Sequence, residues 1–249
     1  MLRAPTRPRY HRGVNFFGHA AVASWARASG PFALGAMLPD FATMARGRLE
    51  RVTSWELAEG IELHHRTDAV FHAAPSFVAL CARAVADLDA RGLARGGARA
   101  AAHVATELLL DGVMIEDRAA CETYLQALEA GRPQAHGKHV EWRDEAERAR
   151  FSALRTRLAG FGLSPAIGEI DFVADRVVAM LASRPRLALD DASASGLREY
   201  LHAHRPRVLA AAAALLDEVR VGLTASTVAP APAPTPTTPP TTPPTTPAQ

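Results

Sequence analysis

The sequence predicts an all-α protein, an irregular bundle of about seven or eight helices. Apolar residues recur at helical spacing through most of the chain, whereas the alternating β-branched runs that are typical of strands are missing. Aromatic residues make up only 6% of the 249 residues, which is low for a protein built on sheets. With 48% hydrophobic residues the chain can bury a core, so we expect one helical domain.

The first helices are placed by the residues that start them. One helix begins in the segment Asn15 to His19. Pro39 disfavours helix immediately before it, so we interpret Asp40 as the N-cap of a short helix from Phe41 to about Arg46. One carboxylate oxygen of Asp40 would remain free to point into the protein.

Capping signals and apolar stripes predict the remaining helices. Thr53 and Glu56 form a capping-box pair for a helix to about Val70, and Pro75 suits the first turn of the next helix. We expect Pro206 to kink or split the last long helix. Apolar residues at helical spacing indicate further helices in these stretches: Ala98 to Asp117, Asp117 to Glu129, Glu141 to Leu158, Ser164 to Leu181 and Ser195 to Val221.

The two ends differ in composition from the domain between them. Residues 1–13 carry four arginines and no acid, and residues 223–249 are rich in Pro and Thr. We therefore expect a flexible basic arm and a disordered tail around a domain at 14–222. Apart from the arm the chain is nearly neutral, which does not indicate nucleic-acid binding. No apolar stretch is long enough for a membrane span and no secretory signal is evident, so we expect a cytoplasmic protein without a membrane partner.

An acid and a histidine share the apolar face of the helix that follows Thr53. His64 and Asp68 are one turn apart on the face that carries Leu57 and Ile61, so one cation could bind both side chains. The alternatives are a pair on the protein surface, or a core histidine held by its own Asp.

A second helix repeats this pattern. His103, Glu107 and Asp111 follow one another at i, i+4 and i+8, and burying two carboxylates so close together requires a cation or a buried partner. The alternative is a solvated face. Near the N-terminus, His19 stands on an apolar face, where a lone histidine is commonly a hydrogen-bonded core residue.

Together these segments supply one set of candidate metal ligands. Nitrogen and oxygen donors in this ratio favour Mn, Fe or Zn over Ca. Neither a Ser–His–Asp nor a cysteine nucleophile is visible, and Cys81 and Cys121 do not have metal or redox spacing. The candidate ligands are His19, Asp40, His64, Asp68, Glu107 and Asp111.

Four short motifs resemble those of the acyl-carrier-protein phosphodiesterases. The motifs are NFFGH, GAMLPDF, EGIELHHRTD and SRPRL. That family cleaves the 4′-phosphopantetheine arm from holo-acyl carrier protein. The resemblance implies an all-helical fold that is distantly similar to HD-domain phosphohydrolases, with holo-acyl carrier protein as the partner. It also implies a divalent metal, most consistent with Mn²⁺, with Fe or Zn as alternatives.

The resemblance also assigns roles to particular residues. Arg66 would neutralise phosphate oxygens, although helical spacing places it far around the helix from His64, so a plain salt bridge is its alternative role. The implied catalytic residues are Asp40, His64, Asp68 and Arg66, beside the metal ligands given above. Matched by position are Asn15, His19, Asp40, Phe41, Gly60, Ile61, His64, Arg66, Asp68, Glu107 and Asp111.

The chain departs from the family pattern at Ala36, Glu62 and Gly112. The expected function is metal-dependent phosphodiester hydrolysis that releases 4′-phosphopantetheine from holo-acyl carrier protein. The departures support a second hypothesis, in which the same site acts on a nucleotide or a small phosphoester. A third hypothesis is a helical module that binds a partner without catalysis.

Overall fold

A computed structural model describes residues 16–228 of the chain, apart from residues 164, 183 and 185. Asn15, the predicted arm at 1–13, the chain beyond 228 and part of the SRPRL motif lie outside the described residues. Within them the all-α prediction is confirmed, with nine α-helices and one small sheet. The elements are α1 (Phe16–Ala26), α2 (Gly30–Met44), β1 (Leu49–Val52), α3 (Trp55–Ala73), α4 (Pro75–Asp89), α5 (Arg95–Met114), α6 (Arg118–Ala130), β2 (Val140–Trp142), α7 (Glu145–Phe161), α8 (Ile170–Ala182) and α9 (Asp191–Val228), with 3₁₀ turns at His136–His139 and Pro165–Gly168.

The two-stranded sheet corrects the prediction of a chain without strands. β1 pairs with β2 in antiparallel fashion, and Leu49 lies opposite Trp142. Because the strands have only four and three residues, neither shows the alternating pattern by which strands are recognised in a sequence. The helix that was expected to start at Glu141 therefore begins later, at Glu145.

The predicted helix start at Asp40 is wrong. α2 begins at Gly30 and continues through Pro39, so Asp40 lies inside this helix and does not cap a later one. The residues of α2 from Phe32 to Leu38 are almost completely buried. Their packing outweighs the backbone hydrogen bond that a proline inside a helix cannot make.

The predicted capping box is also wrong. The N-cap of α3 is Ser54, and its side chain makes no capping hydrogen bond. The hydroxyl of Thr53 instead lies 2.9 Å from Nδ1 of His139, and Glu56 accepts a hydrogen bond of 2.9 Å from the hydroxyl of Ser29. Both Thr53 and Glu56 therefore bond to residues distant in the sequence, and not to the backbone at the start of α3.

The structure places two further prolines for which the sequence predicts a role. Pro75 opens α4, as its position predicts, whereas Pro206 lies inside α9 and does not split it. α9 runs on to Val228, past the predicted domain boundary at 222, and Leu223 packs against the core. Among the described residues, no single helix is long and apolar enough to cross a membrane. Only α3 and α4 taken together meet that test, and the chain bends by 60° between them.

α2 and α3 cross in very close contact at two glycines. A Cβ atom on Gly60 would overlap with the carbonyl oxygen of Phe32, and one on Gly35 would overlap with the carbonyl oxygen of Leu57. Glycine has no Cβ, so it alone permits the two backbones to approach this far. The crossing lies about one turn before His64 on α3. It therefore sets how the two helices present their polar residues to each other.

A buried histidine joins α9 to α5. Nε2 of His204 lies 3.2 Å from the hydroxyl of Thr106, and Nδ1 lies 3.1 Å from the hydroxyl of Tyr200. The Thr106 hydroxyl donates to the carbonyl of Ala102 at 2.7 Å, so it accepts from Nε2, and Tyr200 donates to Nδ1. Burial, with the positive charge of Arg207, lowers the pKa of His204 to about 4.

We expect acid to destabilise the protein through His204. The unfolded chain takes up a proton as the pH falls through 6.5, whereas folded His204 stays neutral until the pH is near 4, so stability is lost across this window. The His204→Gln variant cannot titrate, so its unfolding free energy should fall less between pH 7 and pH 4, by up to about 3 kcal/mol. Urea unfolding at several pH values measures the difference, with the exposed His202→Gln as the matched control. An equal acid loss in His204→Gln and the wild type would contradict this expectation.

Candidate metal centre

Side chains from α1, α2 and α3 meet at one point, which we call the inner cluster (His19, Asp40, His64 and Asp68). Nε2 of His19 lies 3.3 Å from Oδ1 of Asp68 and 3.8 Å from Oδ2 of Asp40. Nε2 of His64 lies 3.4 Å from Oδ2 of Asp68. The two imidazole rings are buried and stack with their centroids 4.0 Å apart. The structure thus brings together four side chains that come from three separate sequence motifs.

His64 presents an unprotonated nitrogen to these carboxylates. Its Nδ1 lies 2.9 Å from the carbonyl oxygen of Ala36, and because a carbonyl oxygen can only accept, Nδ1 carries the proton. Burial, with the charge of His19, lowers the pKa of His64 to about 4, so the ring is neutral at pH 7 and Nε2 keeps its lone pair. That lone pair faces an oxygen of Asp68, an arrangement that a shared cation would stabilise.

Two atoms of the inner cluster have no hydrogen-bond partner among the described residues. They are Nδ1 of His19 and Oδ2 of Asp40. Burial raises the pKa of Asp40 to about 6, although the charge of His19 opposes this shift. Burial would also raise the pKa of Asp68, but a hydrogen bond from His19 and the charge of His19 bring it below its usual value. A bound cation would offset the cost of burying these carboxylates and the atoms that have no hydrogen-bond partner.

The inner cluster fits a small divalent ion. The ligand atoms of His19, Asp40 and His64 all lie within 4.8 Å of one another. Ligands that are each about 2.1 Å from one ion lie within about 4.2 Å of each other, so small side-chain adjustments would complete the site. A cavity of about 20 Å³ lies beside His19 and Asp68, with room for about one water molecule. Imidazole and carboxylate donors together favour Mn, Fe or Zn.

Asp111 is completely buried on α5. Burial, followed by the charges of Glu107 and Asp40, raises the pKa of Asp111 well above its usual value, although a hydrogen bond from the backbone of Gly18 opposes this. Its Oδ1 has no hydrogen-bond partner within the described part of the chain. Asp111 would therefore become a ligand only if a cation displaced its proton.

Glu107 belongs to a second group, which we call the outer cluster (His72, His103 and Glu107). Nε2 of His103 lies 3.0 Å from Oε1 of Glu107, and Nε2 of His72 lies 3.4 Å from the same oxygen. Burial by itself would raise the pKa of Glu107, but hydrogen bonds from His103 and His72 and their charges lower it. The hydrogen bond to Glu107 correspondingly raises the pKa of His72.

The six predicted ligands do not form a single set. Glu107 pairs with His103 in the outer cluster, and Asp111 interacts electrostatically with carboxylates of both clusters. Sequence reasoning missed His72. This residue extends the spacing of His64 and Asp68 by one more turn of α3, so the signal was present in the sequence.

Arg66 joins neither cluster. It lines a groove of about 430 Å³ together with Trp25, Arg220 and several apolar side chains, and it has no ion pair with any described residue. The guanidinium of Arg220 lies over the ring of Trp25, 4.3 Å from the ring centroid. The groove shares Val22 and Trp25 with the small cavity beside His19, so the groove and the cavity lie next to each other.

The three departures from the family pattern occupy different environments. The carbonyl of Ala36 accepts the hydrogen bond from His64. A Cβ atom on Gly112 would lie 2.9 Å from the Cα atom of Gly168, so the contact between α5 and the second 3₁₀ turn leaves no room for a larger side chain. Glu62 is exposed on α3.

Comparisons with known proteins do not assign a family or a function to this site. No protein-family model matches the chain, no curated protein matches it, and no solved structure matches it. The described residues nevertheless form an all-α domain with two groups of histidine and carboxylate side chains that could each hold a metal ion.

Proposed function

We propose that this protein is a metal-dependent phosphodiester hydrolase, related to the acyl-carrier-protein phosphodiesterases, that releases 4′-phosphopantetheine from holo-acyl carrier protein. The observation that carries the proposal is the unprotonated Nε2 of His64, which faces Asp68 in the inner cluster. The motifs support the choice of reaction, because each of the first three supplies a residue to that cluster. NFFGH contributes His19, GAMLPDF contributes Asp40, and EGIELHHRTD contributes His64 and Asp68.

The four residues of the inner cluster would hold the cation. A bound divalent cation would lower the pKa of a water molecule and polarise the phosphodiester. Hydrolysis would break the bond between phosphorus and the oxygen of the carrier protein. The oxygen of a water molecule would add to phosphorus, and a proton of that water would pass to the departing oxygen. The hydrogen bond from His64 to Ala36 keeps Nε2 of His64 directed at the site. The side chain of Asp68 is more exposed than those of His19 and Asp40, so the substrate would approach from its side.

The groove beside the cluster suits an extended phosphate-bearing arm. Its volume of about 430 Å³ is within the range of small-molecule sites. Arg66 and Arg220 would bind phosphate oxygens, because a guanidinium pairs well with them. Trp25 and Leu63 would pack against the less polar part of the arm.

A nucleotide or a small phosphoester is the second candidate substrate. Trp25 lines the same groove as Arg66 and Arg220, and an indole ring together with two guanidinium groups would also accept a base and a phosphate. A binding module without catalysis is less well supported. Such a module would have no use for the buried atoms of His19 and Asp40 that have no hydrogen-bond partner among the described residues.

Mass spectrometry of the carrier protein tests the proposed reaction. Metal-stripped protein is incubated with holo-acyl carrier protein with and without added Mn²⁺. We expect the carrier to lose the mass of its phosphopantetheine arm only when Mn²⁺ is present. Nucleotides and small phosphodiesters are assayed in parallel, and faster turnover of one of them would favour the second candidate. Metal binding without turnover of any substrate would contradict hydrolysis.

A further inference from the structure

We propose that the outer cluster is a second cation site, one that takes a divalent transition-metal ion. Its three side chains offer two imidazole nitrogens and one carboxylate oxygen, a donor set typical of zinc and iron sites with open positions. The cluster is separate from the inner one, because it uses other helical turns and shares no side chain with it.

The distances within the outer cluster suit a single ion. Nε2 of His103 and Nε2 of His72 lie 3.0 Å and 3.4 Å from one oxygen of Glu107. All three ligand atoms are within 4.8 Å of one another. The two imidazole rings lie side by side, with centroids 4.8 Å apart and their planes inclined by 33°. The two nitrogens thus converge on the same small volume from neighbouring helices.

The surroundings orient the ligands as they do in many metal sites. The ring of Phe77 contacts the imidazoles of both His72 and His103, with centroids 5.4 Å and 5.3 Å away, and restricts their orientation. The carboxylate of Glu107 is buried, whereas the side chains of His72 and His103 are about two-fifths exposed. An ion held there would have a fixed buried ligand on one side and open coordination positions toward solvent on the other.

A second ion would extend the chemistry proposed above. In two-metal sites the ions stabilise both the attacking and the leaving oxygen of a phosphoester. The charge of Glu107 acts on both Asp40 and Asp111, so the two clusters are close enough to influence each other electrostatically. Cation binding at the outer cluster nevertheless depends only on its own three side chains and does not require the proposed hydrolysis.

The number of bound ions tests this second site. The full chain is purified without a metal-chelating tag, stripped with a chelator, equilibrated with Mn²⁺ and analysed by elemental mass spectrometry. We expect about two ions per chain in the wild type and about one in each of the variants His72→Ala and His103→Ala. His202→Ala, at an exposed histidine outside both clusters, should retain both ions. Circular dichroism verifies that each variant is folded.

Other results would separate the second site from the proposed function. An unchanged number of ions in both His72→Ala and His103→Ala would overturn the outer site, even if the wild type cleaves the carrier protein. Loss of one ion in both variants would support the outer site, even if no phosphoester is hydrolysed. Asp40→Asn should lose the inner ion alone, and the double variant Asp40→Asn/His103→Ala should lose both.

Discussion

The wild-type protein is expected to bind a divalent ion at the inner cluster at least about 100-fold more tightly than the variants His64→Ala and Asp40→Asn. His64 supplies the nitrogen lone pair, and Asp40 supplies a carboxylate oxygen without a hydrogen-bond partner among the described residues. Loss of either ligand should also abolish phosphodiester hydrolysis. Isothermal titration with Mn²⁺ measures the affinity, and the carrier-protein assay measures the activity.

Asp40→Asn distinguishes loss of a ligand from loss of the fold. Burial raises the pKa of Asp40 to about 6, so at pH 7 the charged form destabilises the metal-free protein. The neutral asparagine removes that charge, and we expect the metal-free variant to be at least as stable as the metal-free wild type. The same variant should bind the ion weakly, so stability and affinity should change in opposite directions.

The matched control for His64→Ala is His65→Ala. His65 is the next residue on α3, but its side chain is exposed and its ring contacts that of His64 edge to face. We expect His65→Ala to bind Mn²⁺ as the wild type does. Wild-type affinity in both His64→Ala and Asp40→Asn would show that these side chains have a structural role and do not bind metal.

The second large effect is expected from Gly60→Ala. The new methyl group would overlap with the carbonyl oxygen of Phe32, and backbone atoms of α2 cannot move aside as a flexible side chain would. α2 and α3 would have to separate along a completely buried contact. We expect a loss of unfolding free energy of more than about 3 kcal/mol, measured by urea denaturation.

Gly196→Ala provides the comparison for Gly60→Ala. Gly196 lies inside α9, and a Cβ atom there would have no neighbour within 4 Å. Alanine at this position should stabilise the protein by about 0.5–1 kcal/mol, because it restricts the unfolded chain more than glycine does. Similar small effects at Gly60 and Gly196 would mean that the close approach of α2 and α3 is not needed for stability.

Much of the candidate site follows from helical periodicity. His64 and Asp68 are one turn apart on α3, so they share a face independently of tertiary contacts. His103 and Glu107 have the same spacing on α5. The helical class and the start of α4 at Pro75 also follow from local patterns. These features depend on residues within a few positions of each other, so a single sequence is sufficient to predict them.

Only the tertiary structure determines which of these faces meet. Asp40 reaches α3 because Gly35 and Gly60 allow α2 and α3 to cross in close contact. The packing of α1 against α2 and α3 brings His19 to the same point. The same packing keeps Asp40 inside a continuous helix, against the local preference of Pro39.

The separation into two clusters is likewise a result of packing. Glu107 on α5 pairs with His72 on α3 and not with the inner cluster. Because the two residues lie on different helices, 35 positions apart, helical spacing could not predict this pair. The periodicity of a helix determines which side chains share a face. Which faces meet across the bundle depends on burial and steric fit between elements distant in the chain, and a local pattern contains no information about those contacts.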